Sequence, residues 1–311
     1  MKILVAGLGA LGTVYACLLS AAGHRVTGLC RMNILEKISQ DGVSISGIWG
    51  EHAAKLERVV ASAGELSGET FAMIIVTVKS YATEEIAQQL APLITDDSHV
   101  FLLQNGYGNF ETAAKFLPTD KLVLGRVIFG AEALGPGESK VTVIADDVRL
   151  GSPDNRIDTS VLQEFARIFN EAGIPTQATE EIMKYVWGKI IYNSALNPLG
   201  AILEVNYGKL AEIPETRVLM DQIITEIFAL LQFKRIETFW LDAQAYQEVF
   251  YSALLPPTAA HHSSMLQDIR RGKPTEIAAL NGAIVSLARQ ADVAVPINEA
   301  VMNIVKAKES L

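Results

Sequence analysis

The chain has 311 residues, half of them apolar and a fifth charged, which excludes a disordered protein and leaves room for about two domains. Acidic residues outnumber basic ones by 35 to 26, and the resulting net charge of −9 argues against a nucleic-acid-binding protein, which needs a clustered positive surface. Cys17 and Cys30 are too few for a disulfide framework and favour a cytoplasmic protein.

The first element is a short apolar strand, Ile3 to Ala6, of the kind that is buried on both faces of a parallel sheet. A helix is predicted over 10–22 and a second strand over 25–30. Residues 3–23 carry no charge and resemble a signal peptide or a short membrane span. Glycines within this run and the strand pattern that follows it argue against both, so we expect no membrane association.

A glycine-rich turn separates the first strand from the first helix. It reads Gly7, Leu8, Gly9, Ala10, Leu11 and Gly12. In a βαβ unit that binds a dinucleotide, such glycines allow a tight turn, close approach of the backbone to a pyrophosphate, and close packing of helix on strand. We therefore predict that these six residues bind a dinucleotide; the alternative is a glycine-rich turn that binds nothing.

The residue after the second strand indicates which dinucleotide is bound. A site that prefers NAD carries an acid there, which holds the 2′-hydroxyl of the ribose. This chain has Cys30 followed by Arg31. A guanidinium pairs with a 2′-phosphate through charge-assisted hydrogen bonds, which favours NADP(H). The alternative is an ordinary solvated arginine.

Strands and helices continue to alternate through the first half of the chain. Strands are predicted over 73–78 and 100–103, with a helix over 83–93 between them. The segment 122–150 is rich in β-formers and contains a Gly-Pro-Gly turn, which predicts antiparallel strands that close the first domain. A helix over 159–172 and a strand near Pro175 follow.

The second half has almost exclusively helical periodicity. Helices are predicted over 182–203, 215–232, 242–253, 263–271, 275–292 and a closing segment to 311. The fold class predicted is α/β, with an N-terminal Rossmann-type doubly wound parallel sheet and a second, all-helical domain. We place an NADP-binding domain at 1–177 and a helical substrate and dimerisation domain at 178–311.

From Tyr185 to Leu203, the predicted helix 182–203 has almost no polar groups except Lys189, Asn193 and Asn197. Steps of four residues keep them on one helix face with a drift of about 40° per step. Burying an ammonium and two amides is costly unless a ligand or water pairs with them, so this face is a candidate site; the alternative is a solvated lysine. Pro198 removes an amide donor and is expected to bend or interrupt the helix.

Four other polar residues are candidates with ordinary alternatives. Lys79 and Asn105 follow predicted strands, at the edge where open α/β sheets bind ligands, although such residues are also common in solvated turns. Glu276 stands in the first turn of the predicted helix 275–292, where it could simply complement the helix dipole. Ser264 could be an ordinary helix residue.

Together these motifs resemble one enzyme family, the ketopantoate reductases (2-dehydropantoate 2-reductases), over essentially the whole chain. The resemblance rests on the motifs already quoted, on Val78-Lys79, on Gln104-Asn105-Gly106, on Lys189-x3-Asn193-x3-Asn197-Pro198-Leu199, on Ser263-Ser264-Met265-Leu266-Gln267-Asp268, and on Thr275-Glu276-Ile277. The chain departs from the family pattern at two positions: Tyr207 stands where some members have an asparagine, and Ala278 stands where an aspartate is often found.

The resemblance implies an enzyme that reduces ketopantoate to pantoate with NADPH, in pantothenate and coenzyme A biosynthesis, at a site between a Rossmann domain and a helical domain. It implies that Lys189 is the general acid and that Glu276 acts in catalysis or on the cofactor ribose. It implies substrate contacts from Asn105, Asn193, Asn197 and Ser264, and cofactor contacts from Lys79, Asn105 and Glu276.

Several alternatives remain open. The five histidines form no metal-ligand pattern, and hydrolase and phosphotransfer motifs are absent, so we expect no metal. Relatives that act on other branched or aromatic 2-oxo acids, or a non-catalytic NADP(H) sensor, are consistent with the same motifs. The sequence leaves open the oligomeric state, with a homodimer as one alternative, and the strictness of NADP over NAD.

Overall fold

The computed structural model describes residues 1–311 and divides into two compact units. The first unit contains Met1–Gln104 and Asn109–Ile182. The second unit contains Met183–Leu311 together with the short segment Asn105–Gly108. This four-residue segment therefore packs with the second unit, although its neighbours in sequence belong to the first.

All strands belong to the first unit, and they form two sheets. In chain order they are β1 (Lys2–Ala6), β2 (Arg25–Leu29), β3 (Val43–Gly47), β4 (His52–Ala54), β5 (Arg58–Val60), β6 (Met73–Val76), β7 (His99–Leu102), β8 (Leu122–Arg126), β9 (Phe129–Gly135), β10 (Glu138–Ile144), β11 (Val148–Gly151) and β12 (Thr176–Ala178). The main sheet has eight strands in the order β12-β11-β8-β7-β6-β1-β2-β5. The other sheet has the order β4-β3-β10-β9.

The six strands from β8 to β5 in the main sheet are parallel, and β1 lies between β2 and β6. All four apolar residues of β1 are fully buried, as expected for a strand covered on both faces. From β1 the next strands along the chain, β2 and β5, are added on one side, and from β6 the next strands, β7 and β8, are added on the other. The loops after β1 and β6 therefore lie at the topological switch point, where open α/β sheets bind ligands.

The strands around the Gly-Pro-Gly turn do not extend the main sheet. β9 and β10 form an antiparallel hairpin, and β10 pairs in parallel with β3 to build the smaller sheet. Only β8, β11 and β12 close the main sheet. The antiparallel strands predicted over 122–150 are present, but they are divided between the two sheets. The smaller sheet also contains β3 and β4, short strands of mixed polarity that periodicity did not find.

Twelve α-helices complete the structure. They are α1 (Ala10–Ala21), α2 (Met32–Asp41), α3 (Thr83–Leu90), α4 (Asn109–Ala113), α5 (Thr159–Glu171), α6 (Ile182–Leu203), α7 (Tyr207–Glu212), α8 (Pro214–Lys234), α9 (Ala243–Val249), α10 (Ser264–Arg270), α11 (Asn281–Ala291) and α12 (Pro296–Glu309). The doubly wound sheet and the all-helical second part confirm the predicted fold class.

Each unit has its own hydrophobic core. In the first unit, α5 packs Phe165 and Phe169 edge-on against Phe101 of β7. In the second unit, α6 contributes Trp187, Ile191 and Leu196 to the core.

Two details of the helical part differ from the predictions. The predicted helix 275–292 consists of a 3-10 turn, Ile277–Ala279, followed by α11, because Leu280 has φ −105° and ψ −105°, which no helix tolerates. Glu276 therefore precedes a 3-10 turn and does not begin a long helix. Pro198 does not interrupt α6, which continues to Leu203.

No helix combines the length and the apolar character needed to cross a bilayer. Cys17 and Cys30 are free and buried, and burial raises the pKa of both thiols to about 11.

Candidate active site

The glycine turn after β1 has the geometry that each glycine was expected to provide. Gly7 has φ +103°, and a Cβ there would lie 2.8 Å from the backbone nitrogen of Val78. A Cβ on Gly12 would collide with the carbonyl of Gly7, whereas a Cβ on Gly9 would meet nothing within 4 Å. The hydroxyl of Thr77 donates to the Gly7 carbonyl at 2.7 Å and holds the turn. The loop therefore leaves open space at Gly9, at the start of α1.

Arg31 and Lys79 follow β2 and β6, the strands on either side of β1. Arg31 is the residue before α2 and is exposed, and its side chain forms no ion pair or hydrogen bond within the chain. Lys79 precedes a 3-10 turn and is half-buried. These two cations and the glycine turn all belong to the carboxyl edge of the same sheet, as the strand order requires.

In the second unit, α6 carries the three polar residues on one face, as predicted from the spacing of four. Lys189 is half-buried, Asn193 is 8% exposed and Asn197 is 5% exposed. The other faces of α6 pack into the core of the unit. The three polar groups thus share one face of a helix that is largely buried from Trp187 to Ala201.

A hydrogen-bonded chain joins three of the candidate residues. The ammonium of Lys189 donates to Oδ1 of Asn105 at 2.6 Å, and Nδ2 of Asn105 donates to Oε2 of Glu276 at 3.4 Å. Glu276 is 7% exposed. The amide of Asn105 therefore lies between a cation and an anion, and its orientation is fixed, because the ammonium can only donate and the carboxylate can only accept.

The segment Asn105–Gly108 explains how Asn105 reaches these residues. Gly106 has φ +88°, and a Cβ there would lie 2.6 Å from both Cβ and the carbonyl oxygen of Ala279. The amide of Tyr107 donates to the same carbonyl at 2.8 Å, and its ring centroid is 5.1 Å from that of Trp187 on α6. The absence of a side chain at Gly106 thus lets the segment pack directly beside the residues that follow Glu276.

Asn197 has a partner that sequence reasoning did not find. The hydroxyl of Tyr207, on α7, donates to Oδ1 of Asn197 at 2.5 Å. Burial raises the pKa of Tyr207 well above its ordinary value, so the phenol keeps its proton. The bond fixes the amide of Asn197 with its Nδ2 donors directed away from Tyr207. The departure from the family at position 207 was visible in the sequence, but the pairing was not.

Asn193 and Ser264 have no such partners. The side chain of Asn193 forms no hydrogen bond within the chain, and Ser264 is not hydrogen-bonded to either asparagine. Ser264 is the first residue of α10, directly after the capping residue Ser263, whose hydroxyl accepts from the amide of Leu266 at 3.1 Å. The polar atoms of Asn193 are not among the fully buried ones, so its amide is open to water or to a bound ligand.

No group of three or more metal-ligating side chains occurs in the structure.

The sequence matches two family models that together cover most of the chain. Residues 3–155 match ketopantoate reductase PanE/ApbA, and residues 181–309 match its C-terminal model. The 2-dehydropantoate 2-reductase of Aquifex aeolicus is 45% identical over 311 residues, which cover 99% of this chain and 97% of that protein. The chain belongs to the ketopantoate reductase family. It is therefore an oxidoreductase, and a purely sensory role is set aside.

Solved structures show the same fold. The ternary structure of D-mandelate dehydrogenase with NADH and anilino(oxo)acetate matches with a TM-score of 0.90 and 27% identity, covering 100% of this chain and 98% of that one. A PanE/ApbA family ketopantoate reductase from Ralstonia eutropha matches with a TM-score of 0.86 and 26% identity, covering 100% and 99%. Both matches extend over both units.

Proposed function

We propose that this ketopantoate reductase family member reduces 2-dehydropantoate to pantoate with NADPH, as a step of pantothenate and coenzyme A biosynthesis. The observation that carries the proposal is the polar face of α6, where the Lys189 ammonium is held by Asn105 next to an amide, Asn193, that has no partner. A 2-oxo acid offers a carboxylate and a keto oxygen, the acceptors that these donors need.

The first unit is the proposed cofactor-binding part. The open space at Gly9 and the free amides at the start of α1 suit a pyrophosphate. Arg31 has no acidic partner and is available to a 2′-phosphate, which is why we propose NADPH rather than NADH. Lys79, at the end of β6, is proposed to bind on the same side. When bound, the nicotinamide supplies the hydride.

The second unit is the proposed substrate-binding and proton-donating part. Negative charge develops on the keto oxygen as the hydride reaches the keto carbon, so a cation within hydrogen-bond reach stabilises that oxygen. Lys189 provides the cation and then transfers a proton from Nζ to the oxygen, which yields the alcohol and a neutral amine that water reprotonates. Asn105 keeps Nζ in place through its Oδ1.

The remaining side chains orient the substrate. Asn193, Asn197 and Ser264 are proposed to hold its carboxylate and its far hydroxyl, which restricts it to a geometry suited to hydride transfer. Glu276 accepts from Asn105 and balances the charge of Lys189 before substrate binds. It is also proposed to accept a hydrogen bond from the substrate hydroxyl or from the cofactor ribose.

A second candidate function is the reduction of an aromatic 2-oxo acid. The match in fold to D-mandelate dehydrogenase bound to an oxoacetate favours it. The 45% identity to a 2-dehydropantoate 2-reductase, against 27% to the dehydrogenase, favours ketopantoate.

The test is a comparison of substrates and cofactors with the purified protein. Loss of NADPH or NADH absorbance is followed with ketopantoate, phenylglyoxylate and branched 2-oxo acids that lack the hydroxyl. We expect kcat/KM to be highest for ketopantoate with NADPH. A higher value for phenylglyoxylate supports the second candidate, and no turnover of any 2-oxo acid contradicts both.

A further inference from the structure

Pro198 leaves a defect in the hydrogen bonding of α6. A proline has no amide hydrogen, so the carbonyl of Ser194, four residues earlier, lacks its regular donor, and the proline ring pushes that carbonyl outward. In the structure, Nδ2 of Asn281 donates to the Ser194 carbonyl at 3.2 Å. Asn281 is fully buried at the start of α11. A side chain from another helix therefore supplies the donor that Pro198 removes.

The orientation of the Asn281 amide is set by a chain of buried polar groups. Nδ2 of Asn281 also donates to Oδ1 of Asn298 at 3.0 Å. Nδ2 of Asn298 in turn donates to Oε2 of Glu226 at 2.8 Å and to the carbonyl of Ile223 at 3.3 Å. Because a carboxylate and a carbonyl only accept, Asn298 must turn its oxygen toward Asn281. The nitrogen of Asn281 then has to carry the two remaining bonds, one of which reaches α6.

This contact lies on the stretch of α6 between the two proposed substrate-binding amides, Asn193 and Asn197. Ser194 follows Asn193 directly and precedes Asn197 by three residues, so the position of its carbonyl sets the path of α6 between the two amides. Asn281 also lies in the same segment as Glu276, five residues earlier. One side chain thereby ties the helix of Lys189 to the segment of Glu276.

We infer that Asn281 is a positioning residue, which completes the hydrogen bonding of α6 at Pro198 and so fixes Asn193 and Asn197 for the 2-oxo acid. The inference rests on the proposed function, in which those two amides bind substrate. Asn281 itself is not proposed to contact substrate or cofactor.

The test restores the missing donor from within α6. Asn281→Ala is expected to lower kcat/KM for ketopantoate by about 10- to 100-fold, since misplacement of reacting groups by about 1 Å costs on that order. The KM for NADPH is expected to stay unchanged. Pro198→Ala supplies an amide hydrogen to the Ser194 carbonyl, so the double variant is expected to regain most of the lost kcat/KM. Pro198→Ala alone is expected to stay within about threefold of the wild type.

Glu226→Ala is the matched control for simple destabilisation. Glu226 also accepts from the backbone amides of Ile297 and Asn298 and so caps α12, and its loss lowers the melting temperature. The Ile223 carbonyl still orients Asn298, so kcat/KM is expected to remain near the wild-type value. An equal loss in Glu226→Ala, or no rescue by Pro198→Ala, overturns the inference.

Hydrogen exchange gives a readout that does not depend on turnover. Amides of residues 195–197 and 199–203 are expected to exchange faster in Asn281→Ala and to regain protection in the double variant. If the wild type does not reduce ketopantoate but this pattern of exchange holds, the proposed function fails and only the structural role of Asn281 stands. If Asn281→Ala yields no folded protein, Asn281→Leu fills the same space without donors, and the same rescue by Pro198→Ala is expected.

Discussion

Among single residues, Tyr207 tests whether a fixed Asn197 amide matters for the proposed substrate binding. Tyr207→Phe leaves Oδ1 of Asn197 without its buried donor, which costs about 1–3 kcal/mol and lets the amide turn. We expect the KM for ketopantoate to rise by about 5- to 100-fold, with the KM for NADPH unchanged. Steady-state kinetics with each substrate varied in turn measures both.

Tyr192→Phe is the control for this prediction, because its hydroxyl bonds to Thr258 and not to Asn197. It removes the hydroxyl of a half-buried tyrosine whose ring contacts that of Tyr207, and it is expected to leave the KM for ketopantoate nearly unchanged. If Tyr207→Phe lowers the melting temperature but leaves the KM for ketopantoate unchanged, Tyr207 contributes only to packing and the prediction is wrong. Since burial raises the pKa of Tyr207, the high-pH fall of the wild-type rate is expected to persist in Tyr207→Phe.

Glu276 allows a separation of charge from hydrogen bonding. Glu276→Gln keeps an oxygen that accepts from Asn105 but removes the charge, whereas Glu276→Ala removes both. We expect Glu276→Ala to lower kcat/KM for ketopantoate by at least about 100-fold and Glu276→Gln to retain part of it, with melting little changed. A helix-dipole role alone would cost under about 1 kcal/mol of stability and leave the kinetics intact.

At the scale of elements, the segment Asn105–Gly108 offers a pair of matched glycines. Gly106 has φ +88° and Gly108 has φ +96°, so a residue with a side chain at either position strains the backbone by about 1–3 kcal/mol. Only at Gly106 does a Cβ collide with Ala279, so only Gly106→Ala displaces Asn105 from Lys189.

We therefore expect Gly106→Ala to lower kcat/KM for ketopantoate by about 10-fold or more, and Gly108→Ala to lower the melting temperature with kcat/KM nearly unchanged. Differential scanning calorimetry and steady-state kinetics on the two variants measure these effects. Equal losses of activity in both would show that strain in the loop, and not the position of Asn105, controls the rate.

The elements also show how far sequence reasoning reaches. The bounds of α6 were predicted correctly, because polar residues at every fourth position of a long apolar run fit a helix and not a strand. The break at Leu280 was missed, because the apolar pattern continues through it while the backbone does not. β3 to β5 were missed because three to five residues of mixed polarity give no period.

For the candidate site, local rules found the residues but not their partners. The rule that polar residues follow strands selected Asn105, and helical spacing selected Lys189. Their bond depends on Gly106 lying against Ala279, a contact between distant parts of the chain that no local pattern encodes. The Asn281 contact is missed for the same reason, although Pro198 already signals that the Ser194 carbonyl needs a donor.

At the scale of the whole molecule, a cofactor that binds only the folded first unit must stabilise it. NADPH at about 100 times its Kd is expected to add about 2.7 kcal/mol to the free energy of unfolding. Arg31→Ala removes the proposed charge-assisted contact to the 2′-phosphate, worth about 1.5–3 kcal/mol, so we expect NADPH affinity to fall by roughly one to two orders of magnitude. NADH, which lacks that phosphate, serves as the control. Thermal shift titrations that show equal weakening of both, or a wild type that prefers NADH, contradict the assignment of Arg31.

The proposed role of Lys189 as cation and proton donor depends on both units. It requires the polar face of α6 and the Asn105 segment in the second unit, and a nicotinamide bound to the first. The most direct measurement is kcat for Lys189→Ala and for the wild type across pH, at saturating NADPH and ketopantoate. We expect kcat of the variant to fall by about two to four orders of magnitude and NADPH affinity to be retained, with the high-pH decline of the wild type absent from the variant. A variant with kcat within a few-fold of the wild type, or with the same high-pH decline, would contradict it.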